Sequence, residues 1–143
     1  MKFRKSVFIV VYSKHKKEIQ YLILKRKLHW NGWEFPKGGV EFSESEKTAV
    51  RREIKEETGL KILEIKKFDV KGKFRYNKKL LDRPGFSGQE YSLYAVEVEK
   101  AKVKIDKREH SGYKWTGFND AVKKLKWKNQ RKCLEVVDKC LGK

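Results

Sequence analysis

This chain is short of several things, and each shortage excludes something. It has only two cysteines, Cys133 and Cys140. If both lie on one helix they stand about 10 Å apart along its axis, too far for a disulfide. Their spacing matches no metal motif either. A disulfide-built fold is excluded, and both thiols are expected to be buried and apolar in a reducing compartment. There are only two prolines, no repeat and no low-complexity linker. The apolar run near the start, "VFIVV", is too short for a signal segment, and no small-residue cleavage site follows it. No apolar run approaches membrane-spanning length, so a cytoplasmic protein with no membrane partner is expected. Acidic residues are also scarce: 19 Asp and Glu face 37 Lys and Arg, a formal net charge of +18. Such a field draws anions such as nucleic acid, polyphosphate or acidic membrane, without choosing among them. A Lys-rich solvated surface explains it equally well. Scarce Asn, Gln, Cys and Met beside abundant Lys and Glu is also the bias of proteins that work hot.

What is present suffices for a core. Hydrophobic residues make up 38% and aromatics 13% of 143 residues. That length predicts a single domain over 1–143, burying roughly two-thirds of its unfolded surface. Residues 6–12 and 19–25 read as strands joined by the polar turn "SKHKKE", a hairpin. A loop, "HWNGWEFPKGG", follows. "SESEKTAVRREIKEETG" then reads as a helix, capped by Ser43 or Ser45 and stopped by Gly59. Its core stripe is Ala49, Val50 and Ile54. Strand-like periods return over 61–76, 90–99 and 113–118, with a polar loop after the first. The C-terminal stretch predicts one or two amphipathic helices, with Leu125, Trp127, Cys133, Val136, Val137 and Cys140 on the apolar side. The order β-β-α-β-β-β-α predicts an α/β mixed sheet with helices on both faces.

The chemistry concentrates in the middle helix. Glu53, Glu56 and Glu57 stand at i, i+3 and i+4 and so share a face. Three like charges there cost a few tenths of a kcal/mol per pair. Lys47, Arg51, Arg52 and Lys55 offset this if the face is merely solvated. The alternative is a Mg²⁺ site, which takes hard oxygen ligands from carboxylates, water and substrate phosphates. The wider spacing decides between them. From Gly38 the order is five residues, Glu44, seven residues, then Arg52-Glu53-Ile54-x-Glu56-Glu57-x-Gly59-Leu60. Chance gives the fixed residues of this pattern about once in 10⁸ windows at ordinary composition.

The pattern resembles the Nudix box, G-x5-E-x7-R-E-U-x-E-E-x-G-U, at every specified position. The resemblance implies the Nudix α/β/α sandwich and hydrolysis of a nucleoside diphosphate linked to another moiety. It implies that Glu53, Glu56 and Glu57 hold Mg²⁺, or Mn²⁺ in its place. Gly38 and Gly39 are expected to turn the chain tightly and leave a carbonyl near the metal. Arg52 is expected to pair with a carboxylate across the turn, and Glu44 to support by salt bridging.

The flanks narrow the resemblance. "WEFPKGGVE" is similar to the loop before the box in asymmetrical diadenosine tetraphosphate hydrolases, which implies that Lys37 contacts phosphate. Glu109, His110, Tyr113 and Trp115 match that family's E-H-x-x-Y-x-W. The match makes Glu109 a ligand or general base, His110 a family marker and Trp115 a core residue. Tyr76 is the first choice for stacking adenine and Tyr113 the second. Arg75, Lys78, Lys79 and Arg83 are candidates to clamp a polyphosphate. Many relatives carry a His just before the loop tryptophan, where this chain has Gly32; His29 is out of register.

The expected activity is therefore cleavage of diadenosine tetraphosphate to ATP and AMP, with Glu53, Glu57 and Glu109 as the catalytic carboxylates, in a monomer or dimer. The rivals are removal of pyrophosphate from triphosphorylated RNA 5′ ends and ADP-ribose or dNTP hydrolysis. A binding module that has lost catalysis is a rival of another class, which the intact box argues against.

Overall fold

The structure, a computed structural model, describes residues 2–76 and 86–142. Lys78, Lys79 and Arg83 lie outside the described residues. Ten elements follow in order: β1 (Lys2–His15), β2 (Glu18–Arg26), β3 (Gly32–Glu34), β4 (Lys37–Gly39), α1 (Glu46–Glu57), β5 (Ile62–Arg75), β6 (Phe86–Val98), β7 (His110–Thr116), α2 (Phe118–Lys124) and α3 (Lys128–Leu141). The seven strands form one mixed sheet, with the path β3-β2-β1-β6-β5. β4 joins β1 and β7 joins β2. β1 runs parallel to β6 and antiparallel to β2 and β4.

β1 shows why there are two helical layers. Every residue from Ser6 to Ser13 is buried, which requires cover on both faces. The period-2 alternation sorts them. Val7, Ile9 and Val11 join Ala49, Val50 and Ile54 of α1 in one core. Phe8, Val10 and Tyr12 join Ala121 of α2 and Cys133, Leu134 and Val137 of α3 in the other.

The expected hairpin, central helix and later strands are all present. The loop before the box differs, because it contains β3 and β4, whose three residues each are too few to show a period. The C-terminal stretch divides into two helices. The buried stripe of α3 is Gln130, Cys133, Leu134 and Val137. Val136 falls outside that stripe and Cys140 at its edge, so both are exposed, against expectation. Cys140 Sγ accepts from Lys66 Nζ at 3.2 Å. Trp127 precedes α3 and is half-buried rather than core.

Of the two candidate caps for α1, Ser45 serves, its hydroxyl accepting from Thr48 N–H at 3.1 Å. Ser43 sits upstream in a positive-φ turn, φ 67°. Ser45→Ala should cost about 1 kcal/mol and Ser43→Ala far less in urea unfolding. Gly59 ends the helix at φ +69°, as expected of a left-handed cap.

Candidate active site

The site is built where β4 lies against α1. β4 pairs with β1 from Phe8↔Lys37 to Ser6↔Gly39, which holds its backbone flat beneath the helix. Neither Gly38 nor Gly39 has a positive φ, so a tight turn is not their purpose. Close approach is. A Cβ on Gly38 would fall on the Glu53 carboxylate, and one on Gly39 on the Arg4 guanidinium. Nor is the Gly39 carbonyl left open, since it accepts from Arg52 Nη2 at 2.8 Å. Gly38→Ala should displace the Glu53 carboxylate and lower turnover by at least about tenfold. The measurements are kcat and Tm together; a Tm loss without a kcat loss would reject this role.

Arg52 organises the acids. Its Nε and Nη2 grip both oxygens of Glu44 at 2.8 and 2.9 Å. This fork pairing holds the Glu44 carboxyl down at about 2. Arg52 Nη1 reaches Glu53 Oε1 at 2.6 Å and Glu56 Oε1 at 3.3 Å.

The acids themselves differ in depth. Glu56 is 51% exposed along its side chain. Glu53 and Glu57 are buried. Burial pushes Glu53 up to about 7 despite Arg52, with Glu56 and Glu109 adding repulsion. Burial, then Glu53, Glu34 and Glu109, push Glu57 well above the carboxylate range. Glu57 Oε2 accepts from the Lys37 N–H at 3.1 Å. Its Oε1 is buried with no hydrogen-bond partner among the described residues.

Glu109 arrives from the loop before β7. Lys27 and Leu28 N–H both donate to its carbonyl, at 2.8 and 3.3 Å. Its carboxylate accepts from Arg26 Nη1 at 3.0 Å. The same Nη1 donates to buried Glu34 at 3.1 Å. Glu34 Oε2 also meets His110 Nε2 at 2.7 Å. Burial raises Glu34, but Lys37, His110 and Arg26 together hold it below its ordinary value. With Glu34 ionised, the proton of this contact belongs to His110 Nε2. His110 is thus buried in the support of the site rather than open to substrate.

Two cavities meet here. The polar one, about 160 Å³, includes Arg4, Lys37, Gly38, Glu53, Arg108 and Glu109 in its wall. The aromatic one, about 370 Å³, is lined by Phe8, His29, Trp30, Phe74, Tyr76 and Trp127 among others. Arg26 and Lys37 line both. Lys37, Gly38, Glu53, Glu109 and Tyr76 are therefore brought together, with Glu57 behind Lys37. Tyr113 lines neither cavity: it stands on β7, 37% exposed, opposite Leu24. Glu56 lines neither cavity, and Lys79 lies outside the described residues.

Sequence reasoning missed Arg4, Arg26, Trp30, Glu34 and Arg108, and put Trp127 on the apolar side of the C-terminal helices without giving it a part in the site. A tryptophan flanked by lysines in "KWK" was the one available signal that Trp127 faces something charged.

The donors suit a divalent cation. They are hard carboxylate oxygens, two of them held deep at a cost in repulsion, and Glu57 Oε1 is an orphaned buried acceptor. The glycine cradle at Gly38 admits nothing larger than hydrogen beside Glu53. Among the described residues, however, no three acidic, histidine or cysteine side chains converge closely enough to hold an ion.

The family model for the NUDIX domain matches residues 2–137. The chain belongs to the Nudix family. The mixed sheet with helices packed on it is the Nudix fold, and the chain is accordingly a Nudix hydrolase. It is 31% identical over 117 residues to an RNA pyrophosphohydrolase of a Nitratiruptor species, covering 78% of this chain and 76% of that one. Among solved structures it resembles an Ap4A hydrolase of C. elegans in a binary complex, at TM-score 0.77 and 24% identity, over 96% of this chain and 97% of that one. The dihydroneopterin triphosphate pyrophosphohydrolase of E. coli also has TM-score 0.77, at 22% identity over 95% and 97%. Among the described residues, no helix is long and apolar enough to cross a membrane.

Proposed function

We propose that this Nudix pyrophosphohydrolase cleaves diadenosine tetraphosphate asymmetrically, giving ATP and AMP. The observation that carries this reading is the junction of the two cavities. An aromatic cavity suits a nucleobase, and the polar cavity beside it suits a polyphosphate. Arg26 and Lys37, common to both walls, stand where base and phosphate chain would join. Arg4 and Arg108 add positive charge on the polar side.

Glu53, Glu57 and Glu109 would hold Mg²⁺, with Glu56 offered from the exposed side of α1. Such an ion neutralises phosphate charge and lowers the pKa of the attacking water. Lys37 carries positive charge to the same phosphates. The proton acceptor is Glu53 or Glu109. Glu44 and Arg52 keep the box in register without touching substrate.

The named likeness to an RNA pyrophosphohydrolase and the +18 charge favour a second reading, removal of pyrophosphate from triphosphorylated RNA 5′ ends. Incubation with each substrate and Mg²⁺, with products separated by chromatography, tests both. ATP plus AMP from the dinucleotide supports the first reading. Two ADP molecules, or pyrophosphate released from RNA at a far higher kcat/KM, would replace it.

A further inference from the structure

We propose that Arg26 is a positioning residue that sets the place of the Glu109 carboxylate in the polar cavity. The inference rests on the reading of Glu109 as a ligand in the active site. Arg26 ends β2, and a register shift between Lys25 and Arg26 lets that end reach both β3 and the loop before β7. Its guanidinium is almost wholly buried, with side-chain exposure of 2%. Nε is tied to the Leu28 carbonyl at 2.9 Å, which fixes the plane of the fork. Nη1 is then divided between Glu34 Oε2 and Glu109 Oε1.

The two carboxylates are not equivalent. Glu34 is fully buried and held by His110. Glu109 is 29% exposed and belongs to a loop. One partner is anchored and the other is movable, so the guanidinium transmits the position of the first to the second. His110 follows Glu109 directly in sequence, so the chain closes a ring: Glu109, His110, Glu34, Arg26 and back. The backbone bonds from Lys27 and Leu28 to the Glu109 carbonyl reinforce it. A buried fork of this kind locks a side chain at small entropic cost, because the guanidinium is planar and preorganised. Without it, Glu109 would keep its backbone anchor but lose its rotamer.

Mn²⁺ binding without substrate, followed by the spin resonance of the free ion, tests this apart from catalysis. Arg26→Gln should weaken binding about 10- to 100-fold, as should Glu109→Gln. The double variant should be no weaker than Glu109→Gln alone, within about twofold, because Arg26 acts through Glu109. Arg26→Lys, which keeps the charge without the fork, should fall between wild type and Arg26→Gln. Arg26→Gln leaves buried Glu34 with Lys37 but without its hydrogen-bonded guanidinium, so Arg26→Met with Glu34→Met supplies a version that removes both charges and keeps the packing. That pair should bind Mn²⁺ as weakly as Arg26→Gln while staying folded, at some cost in Tm from the unpaired His110 Nε2. Losses that multiply in the double variant would overturn the proposal. So would wild-type affinity in Arg26→Gln, in Glu109→Gln or in the folded double-methionine variant. A wild type that binds Mn²⁺ yet hydrolyses no nucleotide sinks the functional reading instead.

Discussion

Glu57→Gln should lower turnover by about 10³-fold while making the metal-free protein more stable. The loss corresponds to roughly 4 kcal/mol of charge stabilisation withdrawn from the transition state. The gain has a separate cause. Glu57 is fully buried, with Glu53, Glu34 and Glu109 near enough to raise it further. The amide removes the charge and keeps an acceptor for the Lys37 N–H. Relief of that burial and repulsion is expected to show as a higher Tm of the metal-free variant. The pH dependence fixes the sign. An acid raised on folding binds more protons folded than unfolded, so stability falls as pH climbs from its ordinary value to its folded one. For Glu53 that window runs from 4.5 to about 7; Glu57 extends it upward. Glu44 acts in the opposite sense, its pairing with Arg52 being lost as the pH drops from 4.5 toward about 2. Metal-free wild type should therefore lose Tm between pH 5 and 8, and Glu57→Gln should lose less. Mg²⁺ should restore more Tm at pH 8 to wild type than to the variant. Equal pH profiles of the two proteins would remove this account.

The second large effect lies in the aromatic cavity. Trp30 and Trp127 meet edge to face at 5.1 Å between centroids. Lys126 Nζ stands over both rings, at 5.3 and 5.1 Å. Lys37 Nζ is 5.9 Å from the Trp30 ring and 5.6 Å from that of Phe74. The cations are thus held by the same π surfaces that would receive a base. Stacking a base on one such ring contributes about 1–3 kcal/mol. Trp127→Ala should accordingly raise KM for the dinucleotide some 5- to 150-fold, with kcat within about threefold of wild type. Trp30→Ala should do the same. A drop in kcat at constant KM would take this cavity out of base recognition.

What could be read in advance follows from distance along the chain. Glu44, Arg52, Glu53 and Glu57 lie within one helix and its lead, where spacing alone puts side chains together, and Arg52 pairs with Glu44 as the pattern implied. Cys140 and Val136 were misplaced by one helical phase, since the start of α3 sets which residues face inward and nothing local marks it. The aromatic cavity was out of reach for another reason. Trp30 comes from the connection before β3 and Trp127 from the start of α3, and only the sheet brings them together. The same holds for Arg26 and Glu109, 83 residues apart. Glu34 had no signal: a glutamate in "WEFPKGG" reads as loop charge until β7 is laid beside β2 and buries it. Gly38 was singled out for the right neighbourhood and the wrong cause, because a glycine needed for closeness and one needed for a turn look alike in a sequence.

The parallel pairing of β1 with β6 has a consequence for synthesis. Ser6 donates to the carbonyl of Glu90, 84 residues later. One edge of β1 is covered early, by β2 and β4. The other edge, along the apolar run from Val7 to Tyr12, must wait until β6 has left the ribosome. Until then a nascent chain carries an open strand edge of the kind that captures other strands. The dense positive charge around that run would keep growing chains apart during the wait. Ribosome-bound chains stopped before residue 86 should then lose solubility with added salt, and those extended well past Val98 should not.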